Sequence, residues 1–371
     1  MGISNNNQNR FLLFALVGLL TLMTGCTGQL FNETSWSSAV LNDETDSIVY
    51  GSPFGGIVSF DSVTKRKLWQ FPEKDDPDLN PVYATPLSAN GLLYFGDSNG
   101  TFWAVNAQGK DQWEFFLDGS IFGNAVIDSG GDTLFIGSTT GFLYALNADS
   151  GSPLWRFPAD DVGAIQGGIW GTPAIDQDTL YVPGMDKYLY AVDIATGTLK
   201  WKFETAGQIA GTPLVEGNSI YFGSFDHNLY SVDRRNGEEK WRFTSDNWFW
   251  TWPALIGDTL YAGGLDHSLY ALDPNTGQLE WRFQSTGPIR TTVTPIEDGL
   301  VFGTEDRMVY AVGLVGNELW KQDLGSSVYS HISLIDDSLF VVGQDGRVHI
   351  LETNRGSVLW DFDCRAVLEW I

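Results

Sequence analysis

Eight tryptophans, Trp69, Trp113, Trp155, Trp201, Trp241, Trp281, Trp320 and Trp360, recur along the chain at intervals of 44, 42, 46, 40, 40, 39 and 40 residues. Spacing this regular marks a stacked-repeat architecture, in which each unit buries its apolar faces only against its neighbours. Other positions keep the same phase. Gly109, Gly151, Gly197, Gly237, Gly277, Gly316 and Gly356 each stand four residues before their tryptophan, with Lys65 in the first copy. Phe71, Phe115, Phe157, Phe203, Phe243, Phe283 and Phe362 stand two after, with Gln322 in the seventh.

Each copy parses into four short strands. The first follows Thr-Pro, as in Thr212-Pro213-Leu214-Val215; the second is a run such as Ile220-Tyr221-Phe222-Gly223. The third alternates as Leu229-Tyr230-Ser231-Val232-Asp233 or Leu269-Tyr270-Ala271-Leu272-Asp273, and the fourth carries Trp-x-Phe. These runs are β-branched or aromatic and are separated by Gly, Asn and Asp, which is strand-and-turn chemistry. In Asp-x-x-Thr-Gly the Asp (Asp193, Asp273) caps its own turn and the Gly supplies a positive φ. A four-stranded antiparallel sheet of about 40 residues is a propeller blade. The predicted fold is therefore all-β, an eight-bladed β-propeller over residues 37–371, with each repeated tryptophan wedged between blades. Two ways of closing the ring stay open: residues Phe31–Trp36 or the tail Arg365–Ile371 could pair with the last blade.

Ahead of the repeats lies an address. Residues 11–23 form an apolar run (FLLFALVGLLTLM) that ends in Thr24-Gly25-Cys26. Thirteen residues are too few to span a bilayer and suit a signal-peptide core. The small pair before Cys26 resembles the lipobox of bacterial lipoproteins, although Met23 stands where Leu is usual. That resemblance implies cleavage after residue 25, a lipid on Cys26 and anchoring to a membrane without crossing it, on the outer-membrane periplasmic side or the cell surface. An ordinary secretory signal is the alternative. Residues 26–36 read as a polar tether. The other cysteine, Cys364, leaves no disulfide framework and reads as a small buried or tail residue.

The chain carries 46 acidic and 21 basic residues, a formal charge of −25. Nucleic acid is thereby excluded as a partner, since binding it requires clustered Lys and Arg. Asp97, Asp186, Asp226, Asp266, Asp306 and Asp345 recur in the turn between second and third strands, as turn chemistry predicts. The four histidines, His227, His267, His331 and His349, show neither metal-ligand spacing nor a nucleophile's triad. No catalytic, cofactor or metal residue is expected.

In a propeller the blade-joining loops and the second-to-third-strand turns emerge on one rim, and loops that break a repeat carry function. Three do so. Residues 72–81 (PEKDDPDLNP) are acidic and proline-rich. Residues 158–170 are the longest joining loop and combine Asp160 and Asp161 with Ile165, Ile169 and Trp170. Residues 246–253 place Trp248, Phe249, Trp250 and Trp252 in one linker; two of the four are expected in the core and two exposed near the axis. An aromatic patch within an acidic rim fits a protein or peptide partner, and equally a sugar.

The pattern Ala-x-Asp-x-x-Thr-Gly-x-x-x-Trp, clearest at residues 191–201 and 271–281, resembles the tryptophan-docking motif of PQQ-like propellers over nearly all of residues 37–362. Two families share that propeller. Quinoprotein dehydrogenases hold pyrroloquinoline quinone over the axis, usually with calcium and an adjacent-cysteine disulfide; this chain has no such cysteine pair and only short insertions. BamB-like lipoproteins have this length and anchor and act as scaffolds in β-barrel assembly, engaging their partner through loops of one rim. The resemblance implies a non-catalytic, membrane-tethered protein-binding scaffold with residues 158–170 at the contact. The alternatives are an extracytoplasmic carbohydrate- or peptide-binding module, then a quinone-dependent dehydrogenase.

Overall fold

The computed structural model describes residues 37–42, 44–52, 54–73, 80–159 and 163–363. They form eight four-stranded antiparallel sheets, each made of four strands consecutive in sequence. The fifth blade is representative. Leu214–Glu216 lies innermost, followed outward by Ser219–Gly223, Asn228–Asp233 and Glu239–Thr244. The innermost strands span two to four residues, because strands converging on an axis have little room.

The core sits in the seams. Eight buried clusters occur, one between each pair of neighbouring blades, so every sheet buries both faces. That is the nearest-neighbour arrangement the period required. The tryptophans are seam residues as predicted. The indole N–H of Trp241 donates to the Pro274 carbonyl of the next blade at 3.0 Å, and Trp113 donates to Ala148 in the same way at 3.0 Å. The phased glycine is explained by the same contact. A Cβ on Gly277 would lie 2.6 Å from the Trp241 ring, and its φ of +69° disfavours any side chain. Opposite each tryptophan, across a β-bulge, stands a small residue such as Ala191, Ser231 or Ala271; only the last blade places a large one, Ile350, before Trp360.

Among the described residues the first and last blades meet through side-chain packing, each with four strands of its own. Tyr50 and Phe60 pack with Phe340, Val342 and Ile350, and the Phe60 ring lies 4.6 Å from that of Phe362. The segments expected to pair with the last blade, 31–36 and 365–371, lie outside the described residues, as do Cys26 and Cys364. Lys65, in the glycine phase of this seam, takes a left-handed φ of +58° and extends over the Phe340 ring at 5.2 Å.

Candidate functional site

Aligning the joining loops brings three columns together near the axis. The first is Ile121, Ile169, Ile209, Phe249, Ile289 and Val328, all buried. All but Ile209, whose blade ends its second strand in Pro183, stand over the glycine that ends a second strand: a Cβ on Gly137 would lie 2.4 Å from Ile169, and one on Gly223 2.4 Å from Phe249. These residues plug the seams below the rim.

The next column points into the axial mouth and reads Tyr83, Phe122, Trp170, Ala210, Trp250, Arg290 and Tyr329. Two arcs result. On one side Tyr83, Phe122 and Trp170 meet edge to face, with centroids 5.5 Å apart at both contacts. On the other, Phe225 from a second-to-third-strand turn is stacked between Trp248 at 4.7 Å and Trp250 at 4.9 Å. The stack continues with the Arg290 guanidinium, 4.5 Å from Trp250 and 5.4 Å from Tyr329. Glu305 holds Arg290 in an ion pair. Burial pushes the Tyr83 and Tyr329 phenols up from their ordinary pKa.

Two residues further along lies a polar layer: Ser38, Thr85, Asn124, Thr172, Thr212, Trp252, Thr292 and His331. One arc is hydrogen-bonded from blade to blade. Thr85 Oγ1 accepts the Ser38 N–H at 3.0 Å, Asn124 Oδ1 accepts that of Thr85 at 2.7 Å, and Thr172 Oγ1 accepts that of Asn124 at 2.8 Å. Close approach depends on glycine here, since a Cβ on Gly171 would lie 2.7 Å from the Ala210 carbonyl oxygen. The opposite arc is not satisfied. Thr292 Oγ1 and His331 Nδ1 are buried without a hydrogen-bond partner. Burial alone draws the His331 pKa down to about 4, so the imidazole is neutral at pH 7. The two layers enclose a cavity of about 220 Å³ on the axis.

The family model described as outer membrane protein assembly factor BamB matches residues 26–156 and 139–360. The chain belongs to that family. Among solved structures, BamB from Moraxella catarrhalis is similar with a TM-score of 0.64 and 21% identity, covering 78% of this chain and 87% of that one. A computationally designed protein, Ika8, is similar with a TM-score of 0.71 and 16% identity, covering 86% of this chain and 97% of that one. At these identities both show the fold alone. No curated protein matches in sequence.

On this BamB-type propeller the predicted rim residues separate. Trp170, Trp250 and Trp252 line the cavity, and Trp248, 40% exposed, covers its lip. Ile165, Ile169 and Phe249 are at most 3% exposed and belong to the seams, so they cannot be contact residues. The expected two-and-two division of the tryptophan-rich linker is corrected accordingly: Phe249 alone is core, because only that position faces the second-strand glycine. Asp160 and Asp161 lie outside the described residues. Phe225, Arg290, Tyr329, Tyr83 and Phe122 were missed. For Tyr83, Phe122, Arg290 and Tyr329 the signal was a mostly aromatic column two residues before Thr85, Asn124, Thr292 and His331, legible once the joining loops are aligned; Phe225, on a turn between second and third strands, had no such signal.

The recurrent aspartates are turn-formers. Asp226 Oδ1 accepts the Asn228 N–H at 3.0 Å, while Oδ2 accepts the Tyr230 hydroxyl at 2.7 Å and the Ala206 N–H at 2.8 Å. These bonds outweigh burial and hold its pKa below the usual carboxylate value. Among the described residues no group of His, Cys, Asp or Glu is arranged to hold a metal. Pyrroloquinoline quinone does not fit the axial lining. A flat polyanion with calcium needs free cations and a carboxylate, whereas among the described residues Arg290, the lining's one Arg or Lys, is paired with Glu305 and no Asp or Glu lines the cavity.

Proposed function

We propose that this chain is a non-catalytic scaffold of the cell envelope, tethered by a lipid on Cys26, that holds a protein partner on the rim around the axial mouth. Its most specific form is a BamB-like role in outer-membrane protein assembly. Membership of the BamB family supports the scaffold reading. The observation that carries the site is the stack of Trp248, Phe225 and Trp250. Three large rings are held in register at the lip of the axis, with Trp248 40% exposed. Aromatic anchors pre-ordered by their own packing are what binding hot spots are made of, because little rotamer entropy remains to be lost.

The rim around the stack is acidic, with Asp118, Asp186, Asp226, Asp246, Asp266 and Asp306 on turns and joining loops. A partner surface with apolar side chains framed by Lys and Arg is therefore expected. The test is affinity capture from native membranes with three baits: the native chain, Trp248→Ala with Phe225→Ala, and a chain whose residues 158–170 are replaced by Gly-Ser. Capture of one envelope protein at native stoichiometry is expected, reduced at least about ten-fold by the aromatic pair. Equal capture by all baits would remove the rim from the proposal.

A further inference from the structure

The second blade breaks a pairing that five others keep. In the third to seventh blades a tyrosine of the third strand stands directly opposite an arginine or lysine of the fourth, as Tyr230 does to Arg242 and Tyr270 to Arg282. These two guanidinium groups lie over the rings, 5.3 Å and 5.5 Å from the centroids. In the fifth blade an acid holds the cation from the side. Arg242 Nε and Nη2 donate to the two carboxylate oxygens of Glu239, which stands opposite Val232, at 2.8 Å and 2.6 Å. The chain thus fills its own seam with a cation, held by a ring and a carboxylate at fixed positions of the repeat.

In the second blade the ring and the carboxylate are present and the cation is replaced. Trp103 takes the tyrosine position, Asp111 that of Glu239, and Glu114 that of Arg242. Trp103 is held as its counterparts are. Its indole N–H donates to the Asp97 carboxylate, as the Tyr230 hydroxyl does to Asp226. Phe71 of the preceding blade meets it edge to face at 5.2 Å, as Phe203 meets Tyr230 at 5.5 Å. Because Tyr230 carries both Phe203 and Arg242, such a contact leaves room for a cation over the ring. At this place a cavity of about 570 Å³ opens on the outer flank between the first and second blades, with Phe71, Pro72, Glu73, Trp103, Asp111 and Glu114 in its lining. That volume lies within the ~300–1,000 Å³ usual for small-ligand sites. Glu73, Asp111 and Glu114 are exposed and Trp103 is half-buried, so a solute reaches all four. Among the described residues Lys110 is the lining's one Arg or Lys, against three carboxylates.

We propose that this groove binds a guanidinium group, stacked on Trp103 and bound by Asp111 and Glu114, in the place that Arg242 fills in the fifth blade. A guanidinium suits the site better than an ammonium because it is planar, weakly hydrated and bidentate towards carboxylates. Its bearer is an arginine side chain or a free guanidino compound. The groove lies on the outer flank, away from the axial mouth, and does not depend on a partner docking there.

The experiment is isothermal titration calorimetry of the full chain with three probes: N-acetylarginine amide, methylguanidinium and the uncharged isostere N-acetylcitrulline amide. Saturable binding of the two guanidinium compounds at about 1–10 mM is expected, weakening as salt rises, with none of the citrulline probe. Tighter binding of the arginine amide assigns the site to an arginine side chain, and equal affinity assigns it to a free guanidino compound. Glu114→Arg restores the cation of the other blades, so it should abolish binding while the melting temperature equals or exceeds the native one. Asp149→Arg makes the same charge change on an exposed turn of the third blade and should alter affinity no more than about two-fold. Trp103→Tyr keeps a donor for Asp97 and should weaken binding about three-fold. Absence of binding by both guanidinium compounds, equal binding of the citrulline probe, native affinity in Glu114→Arg, or loss of binding in Asp149→Arg would each overturn the proposal.

Discussion

Ser231 shows how finely single positions are set against the repeated tryptophan. It stands opposite Trp241 where most blades have alanine, is fully buried, and its hydroxyl has no hydrogen-bond partner. A buried unpaired hydroxyl costs about 1–3 kcal/mol, and alanine removes it while keeping the small volume the indole requires. Ser231→Ala should therefore stabilise the chain by about 1 kcal/mol, or about 1–2 °C in Tm for a domain this size. Urea denaturation followed by tryptophan fluorescence measures this; a loss of stability would mean the hydroxyl is satisfied in solution. The small residue before each bulge was visible in the sequence as Ala191 or Ala271. Its reason was not, because the ring that demands it belongs to another strand.

At the scale of the element, a blade is stable only through its neighbours, so the weak point is the seam between first and last blades. Phe362 makes that seam, with its ring 4.6 Å from Phe60 and 6.4 Å from Tyr50. Partly buried, it should cost about 2–3 kcal/mol when changed to Ala, somewhat less than a fully enclosed phenylalanine. Gln322 stands in the same phase of the seventh blade, partly exposed and polar, and Gln322→Ala should change stability by no more than ~0.5 kcal/mol. Equal effects of the two changes in equilibrium unfolding would show that ring closure does not rest on this packing. The phase of Phe362 was legible in the sequence. That it meets the first blade became visible only in the closed ring, since more than 300 residues separate Phe362 from Phe60 and Tyr50 and no local pattern encodes such a contact.

For the molecule as a whole, the acid excess of 46 to 21 is spread over the surface. Ion pairs such as Arg307–Asp323 at 3.4 Å and Arg242–Glu239 at 2.6 Å are exposed and worth at most ~1 kcal/mol each. Net repulsion should therefore dominate. Shortening the Debye length from about 10 Å at 0.1 M salt towards ~3 Å at 1 M should stabilise the ring. Tm by differential scanning calorimetry is expected to rise by a few degrees between 0.05 and 0.5 M sodium chloride. A fall would show that attractive pairs outweigh the repulsion.

The sequence by itself determined the blade, its four strands, the number of blades and the seam tryptophans, because those rest on side-chain alternation and turn chemistry repeated eight times within ~40-residue windows. The tertiary structure decided which loop residues face the axis. Ile169 and Trp170 are adjacent, as are Phe249 and Trp250, yet one of each pair plugs a seam and the other lines the cavity. The difference is made by a glycine on another strand, Gly137 or Gly223, which leaves room for one side chain and sends the next toward the centre. The unsatisfied Thr292 and His331 became visible in the same way. A hydrogen bond left unmade is a relation between eight converging segments, and no single segment carries it.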